Sequence, residues 1–364
     1  MTFGTRARIR LGAIQHNFQA MKSLVPGART MAVVKANAYG HGLVPVARAL
    51  SEADSLAVAR LAEARQLRDA GVQTDITLLG GVLSADDLAL AMDLGVTVTF
   101  HHQQHIEWAE RFSGRIPLAW LKVDTGMGRL GFQPGDAAAA LTRLRDQVDR
   151  LGMLTHFASA DEPELPTTRE QLAAFTRLVD GFDGEVSIAN SAALLGWQES
   201  LAIFDTEREQ GRLWIRPGLS LYGISPCAGK VGQELGLRPA MQLEATLLSA
   251  KAITTGDRVG YGGTWQAQRD TVLGIIAGGY GDGYSRFIAS GSPVLVNGRR
   301  VPVAGRISMD LTAVDLGPGA KDVVGDPVIF WGDGLPVEKI AECAGTIPYQ
   351  LVCGVTHREA AVYE

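Results

Sequence analysis

Residues 30–42 read TMAVVKANAYGHG, a β-branched apolar run that ends on a lysine and opens into a glycine-rich, aromatic loop. The run predicts a buried strand. Lys35 closes it with no acidic residue in the next five positions. Buried lysines are rare and costly unless paired, so two readings compete. One is a strand-end lysine whose stem lies along apolar surface. The other is a Schiff-base lysine, because apolar surroundings or nearby cations lower an amine's pKa and free the neutral nucleophile.

Outward from this stretch the same order repeats. Strand-like runs follow at 56–59 (LAVA), 76–80 (ITLLG), 96–100 (VTVTF), 118–123 (LAWLKV), 151–156 (LGMLTH), 186–190 (VSIAN) and 213–216 (LWIR). Helical patterns lie among them at 61–70, 85–94 and 172–182, and Ile14, Phe18 and Met21 mark an earlier one. Strand-then-helix order implies parallel strands, and eight of them predict a (β/α)8 barrel over residues 11–235. Past about residue 235 the texture changes. Runs such as VLGIIAGG, PVLVNG, VPVAG, LTAVDLG and PVIFWG alternate with Gly, Pro, Asp and Asn, and one helix falls at 336–344. We expect a mainly β domain over 236–364, joined by residues 1–10 through a strand near 6–11.

The chain has 364 residues, 34 basic and 39 acidic, for a formal charge of −5. That balance gives no footprint for nucleic acid and no polybasic patch for a membrane. Cys227, Cys343 and Cys353 form no C-x-x-C pair or disulfide framework, and no apolar stretch is long enough for a membrane span. A cytoplasmic protein is expected.

In a barrel, chemistry sits where strands run into βα loops. Lys35, Lys122, His156, Asn190–Ser191 and Arg216 each close an apolar run there. The last two loops hold Asn190-Ser191 opening a helix and Arg216-Pro-Gly218-Leu219, whose hydroxyl and backbone N–H groups suit a phosphate. Ser191 is also a plausible plain helix N-cap. A lysine beside a phosphate cradle points to pyridoxal phosphate, which carries both an aldehyde and a phosphate.

Eight stretches in order, AVVKANAYGHG, KVDTGMGRLG, THFASADE, ANSAA, IRPGLSLYG, VGYGGTW, GYGDGY and RISMD, resemble the alanine racemases, fold-type III pyridoxal-phosphate enzymes. The resemblance runs from about residue 6 to 363. It implies reversible racemisation of alanine, with Lys35 binding the cofactor and acting as one base and Tyr261 as the other. Two bases on opposite faces give inversion without one group swinging around the ring. The resemblance also implies a homodimer in which Tyr261 serves the partner's site.

By the same resemblance Tyr39, Ser191, the backbone of Gly218 and Leu219, and Tyr349 hold the phosphate. Arg216 faces the pyridine nitrogen, and His156 supports Arg216 or Tyr261. Arg129 faces the substrate carboxylate and the cofactor phenolate, and the Met309 N–H binds the carboxylate across the dimer. Asp161, Tyr280, Arg286, Arg306 and Asp310 match the entrance. Lys122 matches a lysine carbamylated in several members, which turns a cation beside Arg129 into an anion. Asp124 offers a competing, unmodified ion pair.

The sequence also carries features that point elsewhere. Gly126-Met-Gly128-Arg-Leu-Gly131 is a literal dinucleotide fingerprint, but it follows the fifth strand and Pro134 interrupts the approach to the next helix. The run HHQQH (101–105) has no carboxylate or cysteine arranged with it, so a solvated face and no metal are expected. A non-catalytic pyridoxal-phosphate carrier would share the barrel but lacks the β domain and Tyr261. Fold-type III decarboxylases share both units, yet KANAYGHG and GYGGTW fit racemases better. A broader-specificity racemase is the remaining alternative.

Overall fold

The computed structural model describes residues 4–356, 358 and 361–364. After β1 (Arg6–Ile9), eight strands form a closed parallel barrel. They are β2 (Arg29–Val33), β3 (Ser55–Val58), β4 (Ile76–Leu78), β5 (Val96–Phe100), β6 (Ile116–Lys122), β7 (Val148–Leu154), β8 (Glu185–Asn190) and β9 (Leu213–Arg216). The ring shuts where Arg29 pairs with Trp214 and Thr30 with Ile215. Short, mostly apolar runs suit this position because both faces are covered: β3, β4 and β9 are buried at every residue.

Around the barrel lie amphipathic helices. Leu11–Leu24 turns Ala13, Ile14, Phe18 and Met21 inward, the 3.6-residue periodicity read as a contact surface. Ser84 starts the helix Ala85–Asp93 by accepting the Asp87 N–H at 3.0 Å.

Beyond the barrel the chain forms an eight-stranded, largely antiparallel sheet. Its long strand Met241–Ile253 pairs with β1, with Thr271–Ala277 and with Pro327–Trp331. β1 also pairs, in parallel, with Val362–Tyr363. Residues 1–3 of the segment expected to join this sheet lie outside the described residues.

Two local expectations need correction. The first strand stops at Val33, two residues before Lys35, because the backbone turns sharply there. The β domain also carries a second helix, Pro348–Cys353. Its Pro348 opens the helix, the position where a missing N–H costs nothing. No described helix is long and apolar enough to cross a membrane.

Candidate active site

Lys35 opens a short segment in which Ala36, Asn37, Ala38 and Tyr39 all have φ between 52° and 54°. Left-handed backbone costs about 1–2 kcal/mol for each residue with a Cβ, so four in succession persist only if the surroundings hold them. They do. The Ala36 N–H donates to Glu63 Oε1 at 2.7 Å, and Asn37 Oδ1 accepts the Leu43 N–H at 2.8 Å. The buried His41 ring donates through Nδ1 to the carbonyls of Tyr39 and Ala38, 2.9 and 3.1 Å away.

That turn places Lys35 and Tyr39 in a cavity of about 310 Å³ at the carboxyl ends of the barrel strands. Arg129, His156, Asp161, Ser191, Arg216, Gly218, Leu219 and Tyr349 also line it. Tyr349 arrives on the unpredicted helix, its ring 6.0 Å from that of Tyr39. Asp161, expected at the entrance, therefore lies with the cavity residues.

Electrostatically the cavity is cationic. Burial, then the charge of Arg129, lowers the Lys35 amine, while Glu63 and Cys353 pull the other way. Lys122, the last residue of β6 and 8% exposed, is held down to about 8 by burial, Arg129, Arg216 and Lys35. His156 falls to about 3, by burial first and then Arg216, Lys122, Arg129 and Lys35. Asp161 is the single carboxylate among the described lining residues.

Arg216 is buried and, among the described residues, pairs with no carboxylate. Its guanidinium donates to Ser187 Oγ at 2.5 Å, to the Ile188 carbonyl at 3.2 Å and to the Thr155 carbonyl. Burial lowers it only to about 10, so it keeps its proton at neutral pH. None of these bonds involves His156, whose expected support of Arg216 or Tyr261 has no hydrogen bond behind it here; the charge of Arg216 instead adds to burial in depressing the His156 ring.

Ser191 is not the helix cap. Asn190 is, accepting the Ala193 N–H at 3.0 Å. The Ser191 hydroxyl instead accepts the Gly218 N–H at 2.8 Å, the Ser220 N–H at 3.3 Å and the Ser220 hydroxyl at 2.9 Å. A Cβ on Gly218 would stand 2.8 Å from the Tyr39 hydroxyl, so only glycine lets the loop approach. Two hydroxyls and two N–H groups thus gather beside surplus positive charge, a donor set suited to an anion, with three of the donors turned onto Ser191 Oγ.

The proposed rival partner of Lys122 is occupied. Asp124 Oδ1 accepts the N–H groups of Gly126, Met127 and Gly128, and Oδ2 that of Arg129. Burial works against its charge, but these four donors outweigh it and lower its pKa. The glycine fingerprint thus wraps a carboxylate of its own chain, which leaves no nest there for a dinucleotide.

Tyr261 stands apart, 64% exposed on the β domain and absent from the cavity lining. The Arg286 guanidinium lies 5.8 Å from the ring centres of both Tyr261 and Tyr280. Arg306 reaches the Gly260–Gly262 turn, Met309 is 54% exposed, and Asp310 pairs with Arg358 at 2.7 Å. None of these residues lines the cavity that holds Lys35.

The histidine run also departs from expectation. His105 is fully buried, its Nε2 donating to the Val82 carbonyl at 2.8 Å, and burial holds it down to about 3. Sequence reasoning missed Glu63, His41, Tyr222, Ser187 and Ser220. Tyr222 stacks on Tyr39 and donates to the Val33 carbonyl at 2.9 Å.

Comparison with known proteins places the chain in context. Residues 9–226 match the family model "Alanine racemase, N-terminal domain", and residues 240–363 match "Alanine racemase, C-terminal domain". The alanine racemase of Aeromonas hydrophila subsp. hydrophila is 46% identical over 356 residues, 97% of each chain. Among solved structures, the biosynthetic alanine racemase of Pseudomonas aeruginosa superposes with a TM-score of 0.93 at 42% identity, covering all of both chains. That of Acinetobacter baumannii gives 0.92 at 32%, again over all of both chains.

Proposed function

Since the chain belongs to the alanine racemase family, we propose that it interconverts L- and D-alanine, with pyridoxal phosphate bound at Lys35 and two bases on opposite faces of the substrate. The observation that carries this reading is the meeting of a depressed lysine, a buried arginine without a carboxylate and an anion cradle in one cavity.

The residues present fit that cofactor. Ser191, Gly218, Leu219, Tyr39 and Tyr349 would hold its phosphate, Lys35 its aldehyde carbon, Arg129 its phenolate and Arg216 its ring nitrogen. When bound, it stabilises negative charge developing at the substrate Cα. Arg216 cannot surrender its proton at working pH, so it would donate to the ring nitrogen and leave that atom unprotonated. A weaker electron sink disfavours transamination and suits proton exchange at Cα.

Lys35 Nζ removes or returns the α-proton on one face. The partner's Tyr261 does so on the other, and one proton leaves as another arrives. The 64% exposure of Tyr261, together with its absence from the lining of its own chain's cavity, supports a homodimer with shared sites. In it the Met309 N–H and Arg129 would bind the alanine carboxylate, with Tyr280, Arg286, Arg306 and Asp310 around the entrance. Asp161 would meet them from the cavity side.

Lys122 would carry a carbamate. Its amine is held down to about 8, which leaves a neutral fraction that adds to carbon dioxide with loss of one proton. The anion formed would pair with Arg129, whose charge adds to burial in depressing the unmodified amine. Electron density at Lys122 tests this directly. The barrel unit runs over 11–235 and the β unit over 236–364 with residues 1–10, in the division we propose.

Proton NMR of L-alanine in D2O, run beside a chiral assay, tests the activity. Loss of the α-proton with D-alanine formation is expected. Exchange without inversion would remove Tyr261 from the mechanism. No exchange with cofactor bound would favour a carrier or a different amino acid.

A further inference from the structure

Outside the cavity, three imidazoles meet just past β5, where His101, His102 and His105 each offer a nitrogen and all three atoms lie within 4.8 Å of one another. We propose that His101, His102 and His105 form a site for a divalent transition-metal ion of the zinc, nickel or copper(II) class, with water completing its coordination.

The tautomers of the two inner rings support this. His101 Nε2 lies 3.0 Å from the Gly80 carbonyl and His105 Nε2 lies 2.8 Å from the Val82 carbonyl. A carbonyl only accepts, so both Nε2 atoms carry hydrogen and both Nδ1 atoms keep their lone pairs. A metal-ligating histidine is oriented in this way, its outer N–H tied to a backbone oxygen. The loop after β4 is shaped around the pair. Gly81 has φ 73°, and a Cβ there would stand 2.6 Å from His105 Cε1 and 2.8 Å from His101 Nε2.

The third ligand is free to adjust. His102 is exposed, and its Nδ1 accepts the Gln104 N–H at 3.1 Å, which leaves Nε2 as the donor atom. Ring centres stand 4.3 Å apart for His101 and His105, and 3.9 Å for His102 and His105. Nitrogens bound at about 2.0–2.1 Å to one tetrahedral ion sit about 3.3 Å apart, so the three nitrogens, within 4.8 Å of one another, converge by pivoting of rings whose centres already stand close together. The one contact an ion displaces is the long 3.3 Å bond from the His101 N–H to His105 Nδ1. Three imidazoles without a carboxylate select a borderline ion over magnesium or calcium.

The test uses tag-free holoenzyme, stripped with a chelator and titrated with Co2+, followed by visible difference absorption. One equivalent per chain is expected, with a nitrogen-ligand spectrum. His102→Asn offers an oxygen in place of Nδ1 to cap the helix and should weaken binding by more than about tenfold, with turnover of the metal-free enzyme unchanged. His101→Gln, further inside, should do the same. No Co2+ band at several-fold excess would overturn the site, as would equal affinity in His102→Asn or a thiolate spectrum.

Discussion

The Ser191 hydroxyl accepts the Gly218 N–H over 2.8 Å, so the loops after β8 and β9 meet on a single oxygen. Ser220 donates to it as well, through both its N–H and its hydroxyl. Ser191→Ala therefore strips three donors of their acceptor at the proposed phosphate cradle. Losing a bond of about 1.4 kcal/mol corresponds to tenfold in affinity. Cofactor titration by absorbance should show roughly that loss, with turnover at saturating cofactor little changed. Unaltered affinity would take Ser191 out of the cradle.

Tyr261→Phe removes only a phenol oxygen from an exposed ring. Cofactor binding should be preserved while racemisation falls by about a hundredfold or more, the usual worth of a positioned acid–base group. Near-normal turnover would sink the two-base assignment.

Lys35→Ala should abolish the visible absorption of a lysine-bound cofactor. Because the left-handed turn is held by Glu63, Asn37 and His41 and not by the lysine, the fold should survive the change. A persisting lysine-type band in a folded variant would count against Lys35.

His41→Leu keeps volume but deletes the donor to the Tyr39 and Ala38 carbonyls. A destabilisation of about 1–3 kcal/mol is expected from urea midpoints. The first effect on catalysis should be weaker cofactor retention, since Tyr39 is the displaced residue. A variant as stable as the parent would show that the turn is held elsewhere.

Acid should loosen the protein. Burial depresses His41 to about 4, and His105 and His156 to about 3. Each binds a proton on unfolding at pH values below the ordinary histidine range and above its folded value. Stability contributed by the neutral ring is thus present above about 6.5 and falls as pH drops, by up to about 1.4 kcal/mol per unit and group. Urea midpoints from pH 7 to 5 should decline steadily, and a flat profile would contradict the depressed values.

Much of this was legible in the chain itself. Eight short apolar runs alternating with helical spacing identify the barrel, since a strand covered on both faces must be apolar throughout. Polar residues closing those runs mark the catalytic end. What stayed hidden depends on contacts distant in sequence. Glu63 reaches Ala36 from 27 residues away. Nothing in ANAY announces four left-handed residues, because that conformation is imposed by neighbours and not by glycine. The fate of the G-x-G-x-x-G loop turned on Asp124, two residues before it, whose capture of four N–H groups no pattern match weighs.

β1 lies between Met241–Ile253 and Val362–Tyr363, and its Arg8 meets Glu244, 236 residues further on. During synthesis this strand leaves the ribosome long before its neighbours exist. The barrel can close while β1 is still an unpaired edge, open to pairing with other chains. Contacts of such separation form late and slow the overall rate. A nascent chain of this protein thus spends most of its elongation with β1 unpaired, until residues 241–253 arrive to cover one edge and Val362–Tyr363 the other.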